Sequence, residues 1–216
     1  MGVAWLDSPV MVGDDRSRPL RHRLAKLRWV LRLCVLPPRV AWFHWRARRL
    51  ASRTGDEFSV TSATRPADLK VLLGLARGKR RVVELGTATG WTAISLALAD
   101  PLREVLTFDV VARDEPGRYM GLVGLETRRQ IELVIAPGSS GPRDERSVDL
   151  LYIDSSHDRQ ETVAEVLAWR SVLRPGSLIV FDDYMHPDYP GVHEAVTELE
   201  LAGEQRGTLY VHKVGH

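Results

Sequence analysis

Five carboxylates, Glu84, Asp109, Asp154, Asp182 and Asp183, stand at the ends of four short apolar runs in this 216-residue sequence. His157 follows the third of those ends by three residues. One acid at a strand end is a common surface feature. Five at four ends, all on one edge of a sheet, point to a site. The neighbours Asp182 and Asp183 repel one another, which calls for a cation close by. A histidine titrates near neutral pH and is suited to taking a proton. The plain alternative for His157 is a polar residue facing solvent at a helix start.

The first of these ends opens a glycine-bearing loop, Glu84-Leu85-Gly86-Thr87-Ala88-Thr89-Gly90. Gly86 and Gly90 let the backbone turn sharply and come close to a ligand. The helix that follows offers free N–H groups to an anion. A dinucleotide fingerprint asks for three glycines at a different spacing. Taken alone, the loop serves equally well as a packing turn between strand and helix.

The elements that must position these residues alternate. Strands are predicted at Arg81 to Leu85, Glu104 to Asp109, Ile131 to Ile135, Val148 to Asp154, Ser177 to Asp182 and Thr208 to Val214. Helices are predicted at Pro66 to Ala76, Trp91 to Ala99, Arg159 to Leu173 and Val192 to Leu199, with a glycine-interrupted one between Asp114 and Gln130. Runs such as Leu178-Ile179-Val180-Phe181 are apolar throughout, so both their faces are buried. The expected fold is α/β: a Rossmann-like, doubly wound, mostly parallel sheet with helices on both faces. In such sheets ligands bind at the carboxyl ends of the strands, where the acids lie.

The Glu-x-Gly-x-Ala-x-Gly loop resembles motif I of class I S-adenosylmethionine-dependent methyltransferases. The segments Leu151-Tyr152-Ile153-Asp154-Ser155-Ser156-His157, Leu173-Arg174-Pro175-Gly176 and Val180-Phe181-Asp182-Asp183-Tyr184 are similar to the metal-dependent O-methyltransferases. The likeness is to the group acting on macrolide sugars and, more distantly, to catechol O-methyltransferase, and it spans about residues 66 to 200. It implies that Glu84, Gly86, Thr87, Ala88, Gly90 and Thr92 hold the cofactor, with Asp109 on the ribose hydroxyls and Ser139 near the adenine. It implies Mg²⁺ on Asp154, Asp182 and Asp183, with His157 as general base and Asp154 as its catalytic companion. Three carboxylates with no nearby Cys favour a hard cation over Zn²⁺. The implied activity is O-methylation of a small hydroxylated molecule, a sugar or a phenol-like product. Ala88 departs from the commonest glycine pattern, as catechol-type enzymes also do. His186, Asp188 and Tyr189 either touch substrate or merely shape a loop. The rival readings are a metal-independent methyltransferase and a non-catalytic adaptor that kept the fold.

Charge divides the chain. From Met1 to Arg53, 12 Lys and Arg stand against 3 acids, a net +9, while the remainder has 18 against 25, a net −7. Residues 1–60 are therefore expected to form a basic arm and 61–216 the catalytic domain. The arm holds apolar residues at helical spacing from Leu20 to Leu36, a stop at Pro37-Pro38, and a second helix from Arg39 to Arg53. It suits a cap over the site, a homodimer contact or an anionic membrane surface. Nucleic acid is disfavoured, because no recognised nucleic-acid fold accompanies the arginines. No apolar run reaches the ~18 residues of a membrane span, and the N-terminal stretch does not read as a signal peptide. With Cys34 as the single cysteine, a cytoplasmic protein is expected, with membrane contact as an added role.

Overall fold

The uniformly apolar runs become the inner strands of a seven-stranded sheet. The computed structural model describes residues 33–215. Strands β1 (Arg81–Leu85), β2 (Glu104–Asp109), β3 (Ile131–Ile135), β4 (Val148–Ile153), β5 (Leu173–Phe181), β6 (Gly203–Arg206) and β7 (Leu209–Lys213) take the order β3-β2-β1-β4-β5-β7-β6. The first five run parallel, and β7 and β6 pair antiparallel at the edge. The order reverses between β1 and β4, so the switch point lies over their carboxyl ends.

On one face pack α1 (Pro38–Thr54), α2 (Glu57–Thr61), α3 (Pro66–Leu75) and α4 (Trp91–Ala99), followed in the chain by α5 (Glu115–Met120) and α6 (Leu125–Arg129). Val40, Phe43, Leu69, Trp91, Leu96, Val82 and Leu150 share one buried cluster there. On the other face lie α7 (Arg159–Trp169) and α8 (Pro190–Glu198), with Val83, Leu151, Val166, Trp169 and Phe181 in a second cluster. Strand residues thus alternate between two buried faces. The same alternation turns Glu84 and Tyr152, partners across β1 and β4, toward the α3–α4 side.

The second helix of the basic arm is α1, and its Val40, Phe43, Ala47 and Ala51 enter the core cluster. The helix expected from Leu20 lies, up to residue 32, outside the described residues. No helix among the described residues is long and apolar enough to cross a membrane.

Four elements differ clearly from the sequence reading. β5 begins at Leu173, because Leu173 already pairs with Val148 before the register shifts past Pro175 and Gly176, whose φ is +90°. The preceding helix therefore ends at Trp169 and closes as a 3₁₀ turn over Arg170–Val172. α2 went unread, although Asp56 caps it by accepting from Ser59 N at 3.0 Å. β6 is exposed and polar along its whole length, so it carries no alternating pattern.

Arg103 ties the opposite edge of the sheet together. Its guanidinium is buried and donates to the carbonyls of Leu96 (2.5 Å), Ala76 (2.5 Å) and Lys79 (3.1 Å). Replacing Arg103 with Met would leave those acceptors bare, and a loss of about 3 kcal/mol or more is expected from urea unfolding. A loss below about 1 kcal/mol would mean that the carbonyls find other partners.

Candidate active site

The ladder itself sets the acids in place. Asp154 N donates to Leu85 O at 2.8 Å, and Asp182 N donates to Ile153 O at 2.9 Å. Hydrogen bonding between strands thus continues one residue past β1, β4 and β5, fixing both aspartates above the switch point. The Tyr152 hydroxyl sits between their carboxylates, 2.9 Å from Asp182 Oδ2 and 3.2 Å from Asp154 Oδ2. Asp182 Oδ1 accepts from Asp183 N at 2.9 Å and from the Thr208 hydroxyl at 3.4 Å. Burial, the largest cause, pushes Asp154 and Asp182 above the usual carboxylate range; His157 opposes it at Asp154, and repulsion from the other acids adds to it at Asp182.

His157 faces this group. Its Nε2 lies 3.4 Å from Asp154 Oδ1 and 3.9 Å from Asp183 Oδ2, and no hydrogen bond satisfies it. The ring stacks on Tyr189 with centroids 4.6 Å apart, and the backbone takes the left-handed φ of +58°. For a non-glycine residue such a φ is uncommon and is typically held by its surroundings at functional sites. Burial opposes protonation of the ring, but Asp154, Asp183 and Asp182 outweigh it and raise its pKa. Arg65 Nη2 stands 3.8 Å from Asp183 Oδ1, bringing a fixed cation to the edge of the cluster.

The loop after β1 turns under Phe108, whose carbonyl accepts from Gly86 N and Thr87 N at 2.9 and 3.0 Å. Gly86 has φ +103°, and a Cβ there would lie 1.9 Å from the Asp154 carbonyl oxygen. Ala88 N donates to Asp109 Oδ2 at 2.8 Å, and Val111 N donates to Asp109 Oδ1 at 2.9 Å. Each carboxylate oxygen of Asp109 keeps a second lone pair for a ligand hydroxyl.

Two cavities open on this edge. The first, about 570 Å³, is lined by Gly86, Ala88, Asp109, Gly138, Ser139 and Glu165 among others. The second, about 450 Å³, is lined by Arg65, Asp68, His157, Asp182, Asp183 and Tyr189 among others. Ala88, Asp154 and Ser155 belong to both, so the cavities meet there. One can hold a ligand whose hydroxyls meet Asp109. The other can hold a ligand that meets a histidine and three acids.

Residues 83–184 match a family model described as a methyltransferase domain. That segment, from β1 to just past β5, is thus similar to a methyltransferase domain. No curated protein matches the chain in sequence. It is similar in structure to CalS11, a TDP-rhamnose 3′-O-methyltransferase of calicheamicin biosynthesis, at 19% identity and a TM-score of 0.56. That match covers 69% of this chain and 80% of the other. It is also similar to TomG from Streptomyces achromogenes, an O-methyltransferase of tomaymycin synthesis solved in complex with S-adenosylmethionine. There the identity is 21%, the TM-score 0.60, and the coverage 79% of this chain and 90% of the other. At these identities the likeness is one of fold.

Of the residues expected around the cofactor, Gly86, Ala88, Asp109 and Ser139 line the first cavity. Glu84, Thr87, Gly90 and Thr92 stand outside both linings. Thr92 bonds Thr64 across a 2.9 Å hydroxyl pair, while Gly90 takes φ +78° to start α4. Thr87 meets Thr107 at 2.7 Å, and Thr107 donates to Glu84 Oε2 at 2.5 Å. Asp154 and His157 sit together, and Asp182 and Asp183 share their cavity. Among the described residues no three carboxylate, imidazole or thiolate groups form a ready-made metal cage. Sequence reasoning missed Tyr152, Arg65 and Glu165. Glu165 did leave a signal, since it shares the helix face of Thr162, Val166 and Trp169, all buried.

Burial pushes Glu84 from 4.5 up to about 8, against the Thr107 hydrogen bond and with help from Asp154 and Asp109. Between those values the folded protein holds a proton that the unfolded chain releases. This group's contribution to stability therefore falls as pH rises through that window and is lowest above it. Relative to wild type, Glu84→Gln is expected to raise the melting midpoint by several degrees more at about pH 8.5 than at about pH 5. A midpoint difference that does not change with pH would show that Glu84 stays ionised in the fold.

Proposed function

We propose that the protein transfers the methyl group of S-adenosylmethionine to a hydroxyl of a small molecule, a sugar or a phenol-like compound. The observation that carries this reading is the junction of the two cavities at Ala88, Asp154 and Ser155, with His157 on the far side. The first cavity takes the donor, with Asp109 accepting from the ribose hydroxyls and Gly86 and Ala88 giving a close backbone wall. Ser139 meets the adenine end. Glu84, Thr87, Gly90 and Thr92 support that wall from behind.

The second cavity takes the acceptor. In its neutral form His157 has an Nε2 with no hydrogen-bond partner, which can accept the hydroxyl proton as the oxygen forms its bond to carbon. The proton stays on the imidazole, and Asp154 Oδ1 at 3.4 Å stabilises the resulting cation. Tyr152 holds Asp154 and Asp182 in register, and Tyr189 fixes the plane of the His157 ring. Positioning of the two ligands in line supplies much of the acceleration.

Asp154, Asp182 and Asp183 fit a hard divalent cation by donor chemistry. They are three carboxylates on one cavity, two of them raised in pKa by burial and repulsion. These three would hold Mg²⁺. When bound, S-adenosylmethionine supplies a methyl group on a sulfonium, and Mg²⁺ a Lewis acid for the acceptor oxygen.

The metal reading is tested by product formation on a panel of hydroxylated sugars and phenols, with Mg²⁺ and with excess EDTA. Chelation is expected to stop turnover, and restored Mg²⁺ to recover it. Full activity in EDTA would remove the metal and leave His157 and Arg65 as the cations of the site.

A further inference from the structure

The wall of the first cavity holds a buried acid that the mechanism above does not use. Glu165, on α7, is 1% exposed, yet it lines the cavity. Its Oε2 accepts from the Ser155 hydroxyl at 2.8 Å. Its Oε1 points at Gly138, where a Cβ would come within 2.4 Å of it. Gly138 cannot retreat, because its carbonyl accepts from the buried Trp169 Nε1 at 2.8 Å. The absent side chain gives Oε1 the room it occupies against the loop after β3. Burial raises the Glu165 pKa to about 7, with Ser155 opposing. A buried carboxylate with one hydroxyl donor and no cation in contact calls for a further donor.

The neighbours indicate which donor fits. Asp109 is at the end of β2, and Val110, Pro137, Gly138, Ser139 and Glu165 line the same cavity. A nucleoside whose ribose meets Asp109 has its base among those residues. Glu161, one turn before Glu165 on α7, is already engaged by the Ser139 hydroxyl at 2.9 Å. Glu161 is only partly buried, so Glu165 Oε1 is the acceptor for which a donor from the edge of the base matters most.

We propose that Glu165 is a specificity-determining residue, which accepts a hydrogen bond from the exocyclic amine of the cofactor's adenine and so rejects a deaminated base. The proposal rests on the reading of the first cavity as the S-adenosylmethionine site. Replacing the amine by a carbonyl would set oxygen against oxygen in a buried place, and sites built for an N–H reject such analogues strongly.

The test is calorimetric titration at about pH 8.5, above the raised Glu165 pKa, of S-adenosylhomocysteine and of S-inosylhomocysteine, its hypoxanthine counterpart, into wild type and Glu165→Gln. Wild type is expected to prefer the adenine compound by about ten- to a hundredfold. In Glu165→Gln, whose amide can donate as well as accept, the preference is expected to fall to about threefold or less. Equal binding of both compounds by wild type would overturn the proposal while leaving the cofactor reading intact. So would a folded Glu165→Gln variant that kept the full preference. Failure of wild type to bind either compound would overturn the cofactor reading, and the proposal with it. If Glu165→Gln does not fold, the wild-type ratio alone decides.

Discussion

Replacing His157 with alanine is expected to lower methyl transfer by about 10²- to 10⁴-fold while leaving the affinity for S-adenosylmethionine unchanged. The two effects separate because His157 lines only the second cavity. Its ring is held by stacking on Tyr189, and its Nε2 is the one imidazole atom facing the acids without a hydrogen bond. Removing the ring removes the proton acceptor but touches neither Gly86, Ala88 nor Asp109. Initial rates and calorimetric titration on the same preparation check both halves. A variant that loses cofactor affinity, or keeps its rate, would take the general base out of the account. Relief of the left-handed φ at 157 gives no gain, since alanine has the same backbone restriction there.

Gly86→Ala is expected to be the most damaging single substitution for the fold, with a loss of about 4 kcal/mol or more. The added Cβ would lie 1.9 Å from the Asp154 carbonyl oxygen and 2.6 Å from its carbon, at a φ of +103°. Neither backbone can yield cheaply. Gly86 N is bonded to Phe108 O, and Asp154 N to Leu85 O. A matched control is Gly78→Ala, also at positive φ (+73°) but with nothing near the added carbon. That change carries only the backbone penalty of about 1–2 kcal/mol. Urea unfolding of the pair separates collision from conformation, and equal losses in the two variants would contradict the close approach.

How much of this was legible in the sequence depends on whether burial left a periodic trace. The inner strands did, because both faces are covered and the residues are apolar throughout. The bounds of β1, β2, β3 and α4 are those read from the sequence. β6 left none, being exposed along all four residues and defined only by its pairing to β7. The start of β5 was hidden by Pro175 and Gly176, which read as a turn but sit inside a register shift. In the site, the acids were visible because they close apolar runs. Their partners were not. Tyr152 looks like one more apolar strand residue until its hydroxyl is found between two carboxylates. Thr92 reads as a loop-adjacent ligand contact until its hydroxyl is found paired with Thr64, a residue 28 positions away. Side-chain direction and long-range pairing are tertiary facts, and a linear pattern does not encode them.

The central claim is transfer of a methyl group to oxygen across the junction at Asp154. The most direct measurement supplies S-adenosylmethionine carrying a ¹³C methyl group, together with hydroxylated sugars and phenols, and follows the label by nuclear magnetic resonance. The expected result is a methoxy signal coupled through oxygen to an acceptor carbon, absent in His157→Ala and formed together with S-adenosylhomocysteine. Label appearing on nitrogen, sulfur or carbon instead, or label never leaving a bound S-adenosylmethionine across the panel, would contradict it.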